Sequence, residues 1–249
     1  MAGTPADTVI YAIGDIHGRL DLLSELHERI LADADGRHAA HRLLIYLGDY
    51  VSRGPESCAV VERVRSWKPG GFRCVTLRGN HEELLLRYLD GDLSAGRHWF
   101  DFGGLETLAA YGVRNHGGYN DTDLEDLRCR FGEALPEAHR DFFRRLQVSH
   151  RVGRYFFVHG GIRPGIALED QRAQDCIWIR GEFLSSEAEH GAIVVHGHSI
   201  SEAPELRNNR IGIDTGAYRS GVLTCLVLDG VRQDFLQTGA GAAGHGTVE

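Results

Sequence analysis

Several protein classes are set aside by what this chain lacks. Its five cysteines (Cys58, Cys74, Cys129, Cys176 and Cys225) are scattered, odd in number and form no C-x-x-C pair. That argues against a disulfide framework or a zinc–thiolate site and predicts reduced thiols in a cytoplasmic protein. No apolar stretch approaches the roughly 20 residues of a membrane helix. The opening MAGTPADTVIYAIGD has no basic region before its apolar run, so no signal peptide is expected. There is no excess of positive charge: 27 Lys and Arg face 35 Asp and Glu, for a net charge of −8. General nucleic-acid binding is therefore not expected, although a local cationic site can still draw an anionic substrate against the distant field. No internal repeat is visible, and nothing in the sequence bears on the oligomeric state.

What is present is an ordinary globular composition, 42% hydrophobic and 25% charged over 249 residues, enough for one sizeable core or two small ones. The first third alternates strand and helix. Strands are predicted at 8–14, 42–48 and 72–78, with helices at 20–31, 55–67 and 82–89 between and after them. This order predicts a largely parallel sheet with functional residues in the loops after its strands. Residues 91–147 read as a helical insertion. Strands resume at 155–158, 192–195, 210–213 and 222–228, and Asp229-Gly230 marks a tight hairpin into a strand at 231–236. A single domain over 1–238 is expected. The tail 239–249 has nothing to bury and reads as disordered.

Five short motifs fall at predicted strand ends: GDIHG (14–18), GDYVSRGP (48–55), RGNHE (78–82), HGG (159–161) and HGH (196–198). Each places Asp, Asn or His in a glycine-flanked turn, where glycine permits close backbone approach. One such turn alone is commonly a surface feature. Five in one order, all at strand-to-loop junctions, point to a shared site.

The residue types suit two divalent transition metals: imidazole, carboxylate and carbonyl oxygen, without thiolate. Manganese leads, with iron or zinc as alternatives. Asp15 and His17 are expected to hold one metal and Asp49 to bridge both. Asn80, His159 and one histidine of the HGH turn complete the second. His198 is preferred because it lies beyond the Gly197 turn, while His196 still continues the strand and then stands behind the ligands. Two cations less two carboxylates leave a positive site suited to phosphate. Arg53 and Arg180 are the candidates for gripping phosphate oxygens, since a planar guanidinium binds them in pairs. His81, beside Asn80, is the candidate catalytic acid. His27, His38, His41 and His245 read as surface residues, and Trp99 and the Phe142–Phe143 pair as core.

With these motifs in place the chain resembles the phosphoprotein phosphatase family within the calcineurin-like metallophosphoesterases. The resemblance runs from about Val9 to Leu236. The segments GGLETLAAYGV (103–113), LPEAHRDFF (135–143), FFVHGGIRPG (156–165), IWIRGEFL (177–184) and NRIGIDTGAYRSGVLT (209–224) are similar to small bacterial members. The resemblance implies a four-layer αββα sandwich of two mixed sheets, an α/β fold with a dimetal site at one sheet edge. By motif match it puts the metal ligands at Asp15, His17, Asp49, Asn80, His159 and His198, the acid at His81 and the phosphate grip at Arg53 and Arg180. One departure stands out. The family's second motif usually carries a second Asp that hydrogen-bonds the catalytic histidine, and here Ser52 takes that place. A hydroxyl can orient an imidazole but cannot stabilise its charged form as a carboxylate does.

The expected activity is phosphoesterase chemistry. The leading reading is a serine/threonine protein phosphatase, toward which the HGG spelling leans. The alternative is hydrolysis of dinucleoside polyphosphates such as diadenosine tetraphosphate, which Ser52 leaves open. A third reading, of another class, is a pseudophosphatase that binds phosphoproteins without turnover. Selectivity is expected to lie in loops such as 91–150 and 201–208.

Overall fold

The computed structural model describes residues 3–115 and 118–239; the expected disorder of the tail, and His245, fall outside them but for Gly239. Strand β1 (Thr8–Ile13) opens the chain, followed by α1 (Leu20–Asp35), β2 (His41–Tyr46), α2 (Ser57–Ser66), β3 (Phe72–Thr76) and α3 (Asn80–Leu89). Four helices follow: α4 (Leu93–Asp101), α5 (Gly104–Ala110), α6 (Asp121–Ala134) and α7 (Glu137–Arg145). The second half holds β4 (Ser149–Val152), β5 (Tyr155–Val158), α8 (Ala173–Trp178), α9 (Gly181–Leu184), β6 (Ile193–His196), β7 (Glu205–Leu206) and β8 (Arg210–Gly212). It ends with α10 (Ala217–Ser220), β9 (Thr224–Asp229) and β10 (Arg232–Gln237).

The strands form two five-stranded sheets, ordered β10-β9-β1-β2-β3 and β4-β5-β6-β8-β7. Both are mixed. In the first, β1, β2 and β3 run parallel while β9 and β10 run antiparallel beside them. In the second, β5, β6 and β8 are parallel and the two edge strands antiparallel. The largely parallel single sheet predicted from the first third is thus half of a two-sheet arrangement.

The side-chain alternation of β1 shows why the sheets stack. Val9, Tyr11 and Ile13 face the helix side, in one cluster with Leu23, Leu26 and Ile30 of α1. Ile10 and Ala12 face the other way, into a layer with Leu43 and Ile45 of β2 and Tyr155, Phe157, Ile193 and Val195 of the second sheet. Apolar residues on both faces read as one continuous hydrophobic run, the mark of a strand buried on both sides. The outer face of the second sheet packs Phe156, Val158 and Val194 against Ile162, Leu168, Cys176 and Phe183. Helix, sheet, sheet and helix make the expected four layers.

Trp99 and Phe143 are fully buried, as expected of core residues. His27 is a correction. The surface placement expected for it does not hold: it is buried, stacks 3.6 Å from the Trp67 ring and meets the Tyr46 hydroxyl at 2.9 Å. It lies on the same face of α1 as Leu23 and Ile30, and burial pushes its pKa down to about 3. His38 and His41 are exposed.

Candidate active site at the strand ends

The parallel strands deliver their C-terminal loops to one edge, where the five motifs converge. His17 follows β1, Asp49 follows β2, Asn80 and His81 open α3 after β3, His159 follows β5 and His198 follows β6. All are buried. The side chains of His17, Asp49 and His81 form one group whose ligand atoms lie within 4.8 Å of one another, and Asp49, His159 and His198 form a second. Asp49 belongs to both. One of its oxygens, Oδ2, lies 3.4 Å from His17 Nε2 and 3.8 Å from His81 Nε2; the other, Oδ1, lies 3.5 Å from His159 Nε2. Asn80 Oδ1 approaches His159 Nε2 to 3.0 Å. Asp15 sits slightly apart, accepting the His198 backbone N–H at 3.2 and 3.1 Å. The phosphate-gripping candidates lie at the rim. Arg53 Nη2 is 3.5 Å from His81 Nε2, and Arg180 Nε is 2.8 Å from His198 Nε2.

The local backbone is shaped for this convergence. Among the described residues six non-glycines have positive φ: Asp7, His17, Asp49, Ser52, Arg53 and His198. Five of them are in these loops. Such conformations cost about 1–3 kcal/mol each and persist only where the surroundings over-determine them. Two glycines leave the necessary space. A Cβ at Gly79 would lie 2.1 Å from Asp49 Oδ1, and one at Gly197 would lie 2.1 Å from Asp15 Oδ1.

Metal ions fit this donor set. His17 and His159 each place Nδ1 against a backbone carbonyl, Val51 O at 2.7 Å and Leu47 O at 3.0 Å. With the proton held there, each Nε2 lone pair faces inward, the arrangement that orients imidazole toward a metal. Burial, the largest cause, together with neighbouring cationic groups, pushes His17 and His159 down to about 3 and His198 to about 2, so all three are neutral near pH 7. Burial pushes the Asp15 and Asp49 carboxyls well above the usual range, with nearby carboxylates adding to the shift. Neutral imidazoles beside costly buried carboxylates are what bound divalent cations would compensate. Arg180 now contacts the His198 nitrogen that a metal would need, so ligation there requires the exposed guanidinium to withdraw.

Sequence reasoning passed over several residues. Glu82 is wholly buried; its carboxylate accepts the backbone N–H groups of Gly79, Asp49, Tyr50 and Val51 at 2.8–3.3 Å. It therefore ties the second and third motifs together. The signal was the Glu at the third position of a helix opened by Gly79, where a side chain reaches back to the N-cap. Asp214 is buried beside Asp15 and helps to raise its pKa. It follows β8 two residues before Gly216, in the same grammar as the five motifs. Thr107 and Gly103 hold the second motif from α5: Thr107 Oγ1 accepts Ser52 N at 2.9 Å, and Gly103 O accepts Arg53 N at 3.0 Å. His196 lies outside the two groups, against Phe183 and Arg210.

Ser52 does not orient His81. Its hydroxyl accepts the Trp99 indole N–H at 2.8 Å, and the buried Nδ1 of His81 has no hydrogen-bond partner among the described residues.

A two-sheet α/β sandwich with a buried His/Asp/Asn cluster at converging strand ends defines a metal-dependent hydrolase. The calcineurin-like phosphoesterase family matches residues 8–221, and the chain belongs to it. The asymmetrical bis(5'-nucleosyl)-tetraphosphatase PrpE of Bacillus velezensis is 29% identical over 228 residues, covering 85% of this chain and 86% of the relative. PrpE of Bacillus subtilis is 29% identical over 233 residues, 85% and 87% of the two chains. The symmetrical bis(5'-nucleosyl)-tetraphosphatase of Dechloromonas aromatica is 32% identical over 154 residues, 62% of this chain and 44% of that one. Among solved structures, a candidate diadenosine tetraphosphatase superposes with a TM-score of 0.63 at 18% identity, covering 97% of this chain and all of that one. A cold-active protein tyrosine phosphatase gives 0.60 at 17%, covering 95% and 81%. At these identities the structural likeness is one of fold. Among the described residues no helix is long and apolar enough to cross a membrane.

Proposed function

We propose that this metallophosphoesterase hydrolyses the phosphoanhydride chain of dinucleoside polyphosphates such as diadenosine tetraphosphate. The observation that carries this reading is the environment of His81. Its Nδ1 is buried without an acceptor, and the position where the family usually keeps a carboxylate holds Ser52, engaged by Trp99. An imidazole so placed gains no support for its charged form, so it is seldom protonated near neutral pH and contributes little as a general acid. An alkyl alkoxide, as from phosphoserine, needs protonation to leave, whereas a nucleotide phosphate leaves with little help. General acid catalysis typically contributes about 10²–10⁴-fold, so its weakening penalises phosphoserine most. The bis(5'-nucleosyl)-tetraphosphatases similar to this chain along most of its length support the nucleotide reading.

Asp15, His17, Asp49, Asn80, His159 and His198 would hold two divalent cations, manganese first. Bound there, such ions supply Lewis acidity and a water nucleophile at neutral pH. The remaining roles belong to the chain itself. Arg53 and Arg180 grip phosphate oxygens from opposite sides of the site. Arg53 is pre-set for this: its guanidinium lies 4.6 Å from the centre of the Tyr218 ring, which also contacts His17 edge-on. A shelf of His98, exposed Phe102 and Trp178, with ring centres 5.0 and 6.0 Å apart, adjoins His198 on the other side. It offers a face on which a nucleoside base can stack.

The test is a side-by-side measurement of kcat/KM on diadenosine tetraphosphate and on a phosphoserine peptide, with manganese present. Faster turnover of the tetraphosphate is expected. A clear preference for the peptide would restore the protein phosphatase reading, and no turnover of either, or of p-nitrophenyl phosphate, would leave the pseudophosphatase.

A further inference from the structure

Of the two arginines proposed to grip phosphate, Arg53 has a visible mount: the Tyr218 ring against its guanidinium and the Gly103 carbonyl on its backbone N–H. Arg180 is mounted differently. Among the described residues its side chain hydrogen-bonds only His198, a contact that metal ligation there would break. Its backbone stands in the break between two helices, α8 of six residues and α9 of four. Helices this short do not hold themselves in water, so the position from which Arg180 reaches the site is set by whatever clamps α8 and α9. On the inner side Cys176, Ile177 and Phe183 are buried, and the Cys176 carbonyl accepts Gly160 N at 2.7 Å. On the outer side the clamp is Arg163. Its Nε and Nη2 donate to the two carboxylate oxygens of Asp175 on α8 at 3.1 and 2.7 Å, and its Nη1 donates to Glu182 Oε2 on α9 at 2.8 Å. One planar guanidinium thus spans the break at Arg180. Arg163 is itself fixed: Gln171 Oε1 accepts its backbone N–H at 2.8 Å, and Gln171 Nε2 donates to its carbonyl at 2.9 Å.

We infer that Arg163 is a positioning residue, which locks α8 to α9 and so holds Arg180 where it can receive substrate phosphate. The inference rests on the phosphate-gripping role proposed for Arg180. Isolated surface ion pairs contribute little, but bidentate geometry and a charge shared among several partners are the conditions under which they count. Both are met here, and the Asp175 side chain is only 12% exposed. The Arg163 guanidinium holds the Asp175 carboxyl below the usual carboxylate range. A lysine at this position would offer a point charge, unable to make two parallel bonds to one carboxylate and a third to another. Metal ligation at His198 requires the Arg180 guanidinium to swing, and the clamp fixes the backbone from which it swings. Without Arg163 that backbone must be ordered each time phosphate binds. Ordering one long side chain weakens affinity about two- to tenfold.

The experiment is a double-mutant cycle on the manganese-loaded full chain, with R163A, R180A and the combined variant. The readout is the inhibition constant of inorganic phosphate against p-nitrophenyl phosphate turnover, with metal content and Tm measured alongside. R163A is expected to weaken phosphate inhibition about two- to tenfold with metal content unchanged. R163K should be impaired in the same way, and full restoration by lysine would overturn the clamp. In the R180A background, adding R163A is expected to change nothing further, because the side chain it positions is gone. E182Q removes one arm of the clamp and should show a smaller effect in the same direction; it carries the same test if R163A does not fold. An equal effect of R163A with and without Arg180 would overturn the inference, since Arg163 would then serve the fold at large. Wild-type inhibition in R163A while R180A is impaired would overturn it alone. Wild-type inhibition in R180A would remove the phosphate-gripping role of Arg180, and the inference with it.

Discussion

Glu82→Gln tests whether one buried carboxylate holds the second and third motifs in register. In the native chain Oε2 accepts Asp49 N at 2.8 Å and Gly79 N at 3.0 Å, while Oε1 accepts Tyr50 N at 2.8 Å and Val51 N at 3.3 Å. Burial raises the Glu82 pKa, and the converging N–H groups oppose that rise. Glutamine fits the volume but keeps one acceptor oxygen. Whichever way its amide turns, two backbone N–H groups face an NH2 donor. Each buried, unsatisfied donor costs about 1–3 kcal/mol, so the pair costs about 2–6 kcal/mol. For a chain of this size that is a fall in Tm of roughly 5–20 °C. The damage should reach function, because Glu82 braces the strained backbone of Asp49, at φ 52°. Thermal unfolding and metal content per chain would be measured together, both expected to fall. A Tm within about 2 °C of wild type and undiminished metal content would refute the bracing role.

Three further outcomes are expected. In metal-free protein the raised Asp15, Asp49 and Asp214 carboxyls lose stability as pH rises above their unfolded values and through their folded ones, while the depressed imidazoles are neutral both with and without metal. The gain in Tm on adding manganese should therefore widen from pH 5 to pH 8, and a gain that shrinks over that range would contradict the assignment. Arg180→Ala should weaken inhibition by inorganic phosphate about ten- to hundredfold without loss of metal, as for one charge-assisted hydrogen bond; unchanged inhibition would make Arg180 structural only. Ser52→Asp should raise turnover of a phosphoserine peptide relative to p-nitrophenyl phosphate by supplying the carboxylate that His81 lacks, and an unchanged ratio would show that acid catalysis is not limited there.

Much of this was legible because the motifs and the fold obey the same rule. Parallel strands buried on both faces read as unbroken apolar runs, and Asp or His in a glycine turn at the end of such a run is already placed at a shared edge. The hairpin at Asp229-Gly230 was marked by its turn residues. Other features carry no such local mark. β4 and β7 are short edge strands, and β4 in particular carries polar side chains (Ser149, His150, Arg151) that match no period-2 apolar pattern. His27 looked like any polar residue on a surface helix, and only the neighbouring Trp67 and Tyr46 make a place for it inside. The partner of Ser52 lies 47 residues away, so neither Trp99's hydrogen bond nor the isolation of His81 could be read from either segment alone. Glu82 and Asp214 sat within quoted motifs, but their importance appears only when the backbone amides and carboxylates around them are assembled in space.

The shared role of Asp49 is the centre of the proposed chemistry, since it alone belongs to both ligand groups. Metal content per chain and kcat on diadenosine tetraphosphate, measured in wild type, Asp15→Asn and Asp49→Asn, test it most directly. The expected result is two metals in wild type, a partial loss in Asp15→Asn, and the largest loss of both metal and kcat in Asp49→Asn. Two metals retained by Asp49→Asn at a near-wild-type rate would contradict it.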